Sequence, residues 1–90
     1  MINIYVMDRG FVLVGRPQPR EREDYLFTVL NDCAVIRNWG TEKGLGQLAM
    51  RGPTSSSRFD EEPDGTKINR AYLLREIPCN EEAWKSWPKR

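Results

Sequence analysis

Three glycines and a lysine stand together where an apolar stretch gives way to a helical pattern, in the segment Gly40-Thr41-Glu42-Lys43-Gly44-Leu45-Gly46. Backbone N–H groups at a helix start bind phosphate or carboxylate when glycines remove side-chain bulk and a lysine adds positive charge. The sequence therefore predicts an anion site at Lys43, Gly44 and Gly46. The spacing matches neither the P-loop nor the dinucleotide-binding pattern. In the alternative interpretation, the glycines only turn the chain and let a helix pack closely on a sheet.

A second group of residues combines tryptophan with positive charge. Its members are Arg37, Trp39, Lys43, Arg51, Arg58 and Arg70. Small β-barrels bind single-stranded nucleic acid by stacking bases on aromatic rings beside arginines. Acidic residues at 60–64 are interspersed with this group and would repel phosphates if they lie nearby in space. The competing interpretation is a solvated surface of mixed charge.

Trp84 and Trp87 stand three residues apart in a short segment that begins with Asn80 and two acidic residues, a pattern typical of a helix start. Two helical turns are not stable alone in water, so both indoles must dock either on the domain or on a partner. Tryptophans often dominate the free energy of protein interfaces. We expect an interaction surface that contains Trp84, Trp87, Arg37 and Trp39. The alternative is that the segment covers an open end of the domain.

The composition excludes much familiar chemistry. The 90 residues include 14 Lys and Arg, 13 Asp and Glu, two cysteines and no histidine, with a net charge of +1. Neither a typical zinc site nor a nucleophile activated by histidine can be built from these residues. The acidic run Asp60 to Asp64 lacks the ligand spacing of a calcium loop. We therefore expect a protein that is not an enzyme and that uses no metal and no cofactor.

The length and the apolar stretches predict a small soluble domain. A chain of this size holds one core, so residues 1–90 are predicted to form a single domain with a thin stability margin. No apolar stretch exceeds four residues, the length of the run Phe11 to Val14, and no secretion signal is apparent. We expect a cytoplasmic protein in which Cys33 and Cys79 are reduced, and in which association with a partner or with itself adds stability.

Several β-branched and aromatic stretches are predicted as strands: residues 2–7, 11–15, 25–30, 33–39, 58–60 and 70–78. Asp8-Arg9-Gly10 is the expected turn of a first hairpin, and Asn31-Asp32 that of a second. The first two stretches are apolar at nearly every residue, which is typical of strands covered on both faces or curved into a barrel. Residues 58–60 are expected at an edge of the sheet, and residues 70–78 at its centre.

A helix is predicted from Glu42 to Arg51, with Thr41 as its N-cap and Gly52 as its end. Because two glycines weaken its first turn, an irregular loop is the alternative there. With the strands, this predicts an α+β fold of five to six mostly antiparallel strands. They form a curled sheet or a small SH3-like barrel, with this helix after Trp39 and a short C-terminal helix.

One further pattern is spread over residues 33–87. It consists of Ile36, Arg37, Trp39, Gly40, Thr41, Gly44, Leu45, Gly46, Leu48, Ala49, Gly52, Pro53, Thr54, Arg70, Ala71, Ile77, Cys79 and Trp84. With these residues the chain resembles a group of short uncharacterised proteins of phage and mobile-element origin. The resemblance implies an origin and no activity. Asn38 stands where a basic residue is expected in such proteins, which disfavours nucleic-acid binding.

Together these patterns predict a small accessory or interaction protein that binds a protein partner or itself through its tryptophan-bearing surface. A nucleic-acid-binding module that uses Trp39, Arg37 and Lys43 is the second hypothesis. A protein that binds a small anion or a nucleotide at the glycine segment is the third.

Overall fold

The computed structural model describes residues 1–19 and 26–88. Within these ranges the chain forms six strands and one α-helix: β1 (Asn3–Met7), β2 (Val12–Pro17), β3 (Phe27–Asn38), α1 (Gly44–Arg51), β4 (Arg58–Glu61), β5 (Thr66–Asn69) and β6 (Leu73–Pro78). Short 3-10 turns lie at Asp8–Gly10 and Arg70–Tyr72. The predicted α+β class is confirmed. The first residue of the predicted strand 25–30 lies outside the described residues.

The strands form one antiparallel sheet in the order β4-β3-β2-β1-β6, and β5 also pairs with β3. Among the described residues the outer strands do not pair with each other, so the sheet is open and no closed SH3-like barrel forms. No helix in these residues has the length and apolar composition to cross a bilayer.

The first hairpin forms as predicted. Ile4 lies opposite Val14, and Arg9 and Gly10 take the positive φ angles of 65° and 82° that the tight turn requires. Ile4 and Tyr5 are both fully buried although they point to opposite faces of the sheet. The prediction that these strands are covered on both sides is therefore confirmed.

The prediction of a second hairpin at Asn31-Asp32 is wrong, because β3 runs through both residues as one strand. Its register with β2 changes between the pairs Val14–Ala34 and Arg16–Asn31, so one extra residue bulges out of the strand. Asp32 has a φ of 49°. A residue that tolerates the left-handed conformation suits a bulge as well as a turn. Here it forms a bulge, because β3 pairs with neighbouring strands on both of its edges.

The bulge divides one edge of β3 into two halves. β4 pairs with the half from Ala34 to Asn38, and β5 pairs with the half from Phe27 to Leu30. The edge strand predicted near residues 58–60 is thus confirmed as β4. β5 was not predicted, because Ile68 is the only large apolar residue that its sequence contains.

The last strand, β6, lies at an edge of the sheet and not at its centre, because among the described residues it pairs only with β1. It is also shorter than predicted, since residues 70–72 form a 3-10 turn. Tyr72 and Leu74 are exposed, whereas Ile77 packs against the core. Pro78 ends the strand as expected.

The helix α1 begins at Gly44 and not at Glu42, so the irregular first turn is the correct alternative. Thr41 is not the N-cap. Its hydroxyl donates to the Gly44 carbonyl at 2.7 Å, and Gly44 has a φ of 78°. Gly52 ends the helix as predicted, with a φ of 82° and its amide donating to the Leu48 carbonyl at 2.9 Å.

Residues 79–88, here called the C-terminal strap, follow β6 back across the molecule. Residues 81–86 form consecutive turns and not the predicted short helix. Asn80 still caps the first turn, since its side-chain oxygen accepts from the amides of Glu82 and Ala83 at 3.0 and 3.2 Å. Contacts of Trp84 and Trp87, described below, fix the path of the strap in place of a helical repeat.

Each face of the sheet carries a core. On one face α1 and the strap cover the strands, with buried Ile2, Ile4, Val12, Val14, Ala34, Ile36, Leu45, Leu48, Ala49 and Trp84. On the other face the buried residues are Tyr5, Met7, Leu13, Leu30, Cys33 and Ile68. The first core positions the candidate site, because the strap lies on it.

Candidate functional site

A concave groove of about 490 Å³ opens between β4, the loop before it and the C-terminal strap. Residues 32–34 of β3 also line it, as do Phe59 of β4 and Trp87 of the strap. We call it the aromatic groove. Its volume lies within the range of roughly 300–1,000 Å³ that is typical of ligand pockets.

Three aromatic rings pack together at the groove. The ring centroids of Phe59 and Trp87 are 4.6 Å apart, and Trp84 lies 5.5 Å from Trp87 and 6.2 Å from Phe59 in edge-to-face arrangements. Trp84 is 1% exposed and belongs to the core. Phe59 and Trp87 are half-buried, so they present apolar surface to the groove while Trp84 supports them from below.

Hydrogen bonds hold both indoles in place. The Trp84 indole N–H donates to the carbonyls of Leu48 and Ala49 at 3.1 and 3.2 Å, near the end of α1. The Trp87 indole N–H donates to the carbonyl of Asp32 at 2.8 Å, at the bulge of β3. Arg16 in turn donates to the Trp87 carbonyl at 3.2 Å. The aromatic wall of the groove is therefore rigid.

The opposite wall is the loop of residues 53–57, which is tied to the chain just after β3. The Ser57 hydroxyl donates to the Trp39 carbonyl at 2.7 Å, and the Thr54 hydroxyl donates to the Gly40 carbonyl at 2.6 Å. Gly40 has a φ of 70°, and a Cβ there would collide with the main chain at Ser57. Close approach of this loop thus explains the glycine that opens the glycine segment.

Among residues 1–19 and 26–88, the charged residues that line the groove are mainly acidic. Asp32, Glu61 and Glu62 line it together with one cation, Arg58. The Arg58 guanidinium donates to the Ser55 and Ser57 carbonyls at 2.8 and 2.9 Å, which holds it against the loop. The Asp32 carboxylate lies 3.4 Å from the Arg16 guanidinium. Glu61 and Glu62 add two further acidic residues to this lining.

The two cysteines are not activated thiols. Burial, followed by the negative charges of Glu62 and Asp64, raises the pKa of the Cys33 thiol to about 12. Burial, followed by the charge of Glu81, raises the pKa of Cys79 to about 12. Both thiols are therefore protonated at neutral pH, when they are poor nucleophiles. No group of three candidate ligands within residues 1–19 and 26–88 is placed to hold a metal ion.

The structure divides the predicted interaction surface into two places. Trp84 and Trp87 come together in the strap, whereas Arg37 and Trp39 lie at the far end of β3 beside a separate shallow depression. Arg37 is exposed and its guanidinium lies 3.5 Å from the Asp60 carboxylate. Trp39 is 41% exposed. Sequence reasoning missed Phe59, whose only signal was one large apolar residue in a polar stretch.

The residues of the predicted anion site lie at the start of α1. The Lys43 amide donates to the Gln47 side-chain oxygen at 3.0 Å. Gly44 is needed for its positive φ, and an added Cβ there would also lie 3.7 Å from the Trp39 ring. A Cβ on Gly46 would meet no atom within 4 Å, so packing does not require this glycine. Anion binding here stays a prediction.

Arg70, another member of the predicted basic surface, does not line the depression beside Trp39. Arg70 donates to the Thr28 hydroxyl at 2.7 Å and lies 3.4 Å from the Glu76 carboxylate. Glu42 lines the depression that Trp39 borders.

Comparison with known proteins gives no match: no family model fits the chain, and no curated protein and no solved structure is similar to it.

Proposed function

We propose that this protein is a small non-enzymatic interaction domain whose aromatic groove binds a segment of a protein partner. The observation that carries the proposal is the half-buried Trp87 ring, which faces the groove and is fixed by its hydrogen bond to Asp32. A rigid aromatic wall supports binding because little side-chain entropy is lost when a partner docks. Tryptophan is also among the residues that contribute most to interface free energy.

In this proposal the protein acts in the cytoplasm as an accessory factor of a phage or mobile element. A host protein is the favoured partner, and a second copy of this chain is the alternative. Light scattering distinguishes these two partners. If a second copy of the chain binds in the groove, the observed mass depends on protein concentration.

Nucleic-acid binding at Arg37 and Trp39 is the second candidate, favoured by the exposed indole beside an arginine. Asp60 and Glu42 place negative charge at the same surface, which opposes phosphate. A single-stranded oligonucleotide at low salt separates the candidates. Binding that is lost in Arg37→Ala and retained when the aromatic groove is blocked would favour nucleic acid.

The test of the proposal is selection from a library of random peptides displayed on yeast. Ser86 is exposed and lines the groove, so Ser86→Trp should fill the groove without disturbing the core. Ser56 is also exposed but borders the other depression, so Ser56→Trp is the matched control. We expect selected peptides to bind wild type and Ser56→Trp and to fail with Ser86→Trp. Equal binding to both variants, or no binder at all, would refute the groove as the site.

A further inference from the structure

We infer that the occupant of the aromatic groove is an extended peptide that packs a large apolar side chain on Phe59 and Trp87 and directs a lysine or arginine to the carboxylate of Glu62. This inference rests on the proposed function and names the chemistry of its partner. It follows from three features of the groove: its apolar floor, the charge of its lining and the adjoining edge of the sheet.

The apolar floor sets the first requirement. Phe59 and Trp87 lie with ring centroids 4.6 Å apart, and each keeps part of its surface accessible. The hydrogen bond from the Trp87 indole N–H to the Asp32 carbonyl sets the orientation of this ring. A large aliphatic or aromatic side chain therefore removes apolar surface from water on both rings without rearrangement, which is the condition for favourable burial.

The charge of the lining sets the second requirement. Arg58 is the one cation that lines the groove among the described residues, and its guanidinium already donates to two main-chain carbonyls. Glu62 lies on the same lining and is half-buried. The carboxylate of Glu62 makes the electrostatic potential of this lining negative. A cationic side chain complements that potential, whereas a carboxylate or phosphate opposes it.

The edge of the sheet sets the third requirement. The Glu62 amide donates to the Cys33 carbonyl at 2.8 Å, toward β3. Because hydrogen-bonding direction alternates along an antiparallel strand, the main-chain N–H and C=O of Phe59 point away from β3. Among the described residues, β4 is the terminal strand of the sheet and pairs only with β3. An extended chain pairs with such an edge, and its alternate side chains then enter the groove.

Fluorescence anisotropy with short labelled peptides tests the inference. The probe alternates threonine with leucine and carries one lysine and one arginine. One comparison peptide has glutamates in place of the two basic residues, and another has serines in place of the leucines. We expect each comparison peptide to bind about tenfold more weakly or worse, since like charges or lost apolar contact disfavour binding. Equal affinity for the lysine and glutamate peptides would overturn the inference.

Two variants locate the charge effect. Glu62→Gln should reduce the preference for the basic peptide several-fold. Glu82→Gln is the control, because Glu82 is an exposed carboxylate of the strap that pairs with Lys85 and does not line the groove. An equal loss of preference in both variants would show general electrostatic attraction and would contradict a contact at Glu62.

Amide hydrogen exchange tests the extended mode. We expect the Phe59 amide to become protected when the basic peptide binds, while Gly10, at a distant turn, stays unchanged. An unprotected Phe59 amide in the saturated complex would refute pairing at the edge of β4.

Failure of the inference can be distinguished experimentally from failure of the proposed function. If random peptides are selected that need the open groove but carry no basic residue, the proposed function stands and the inference falls.

Discussion

The indole N–H of Trp87 lies 2.8 Å from the main-chain carbonyl of Asp32, so a side chain of the C-terminal strap is bonded to the bulge of β3. The same bulge gives Asp32 its positive φ of 49°. The bulge in β3 therefore helps to set the orientation of the Trp87 ring. Arg16 contacts both the Asp32 carboxylate and the Trp87 carbonyl.

Trp87→Phe should lower the free energy of unfolding by about 1–2 kcal/mol, since it keeps an aromatic ring but leaves the Asp32 carbonyl without its donor. Urea denaturation followed by circular dichroism measures the change. Trp39→Phe is the matched control, and we expect less than about 0.5 kcal/mol because Trp39 is partly exposed. Equal effects of the two substitutions would contradict a structural role for the Trp87 hydrogen bond.

Asp32→Val should destabilise the protein by about 1–2 kcal/mol or more, because a β-branched residue strongly disfavours a positive φ. Asp32→Asn should cost less than about 1 kcal/mol, since asparagine tolerates this conformation and the ion pair with Arg16 is partly exposed. The comparison uses urea unfolding midpoints. If valine and asparagine prove equally tolerated, residue 32 does not need the left-handed conformation.

Two glycines of α1 should respond in opposite directions to alanine. Gly46→Ala should stabilise the protein by about 0.5–1 kcal/mol, because a Cβ there meets no neighbour and glycine is unfavourable within a helix. Gly44→Ala should destabilise it by about 1 kcal/mol or more, since its φ is 78°. Thermal and urea unfolding measure the sign of the stability change in each variant. Destabilisation by Gly46→Ala would show that this position is constrained by something other than helix propensity.

Stability should fall as pH rises above about 9. Burial raises the pKa of Cys33 and Cys79 from 9.0 to about 12, and that of Tyr5 from 10.0 to about 12. The folded state therefore keeps protons that the unfolded chain releases, and this stabilisation, present below pH 9, is lost as pH approaches 12. Urea midpoints measured across this window test the sign. Cys33→Ala should flatten the dependence, and a midpoint that rises with pH would contradict it.

How far the fold follows from the sequence differs between local and distant contacts. The turn at Gly10 was predictable because its residue type and its short loop determine the geometry locally. Asn31-Asp32 carried the same local signal, but pairing of β3 with β2, β4 and β5 converts an apparent turn into a bulge. Local preference alone does not separate these outcomes.

The site shows the same division. Trp84 and Trp87 were recognisable from their spacing and from the instability of a short isolated helix. Phe59 could not be recognised, because it is a single apolar residue among polar ones. Its place in the site comes from its contact with the Trp87 ring of the strap. Arg37 and Trp39 lie apart from the strap because β3 carries them to its far end. The spacing of these residues in the sequence does not indicate that separation.

The position of β1 between β2 and β6 has a kinetic consequence. The β1–β2 hairpin closes over a three-residue turn, but β6 joins β1 only after the intervening chain has been placed, with Asn3 opposite Pro78. Contacts between residues so distant in sequence form slowly. Until β6 arrives, the second edge of an apolar strand is open, and at high concentration the β6 of another molecule can occupy it. Domain-swapped dimers formed during refolding are the expected misassembly of this topology.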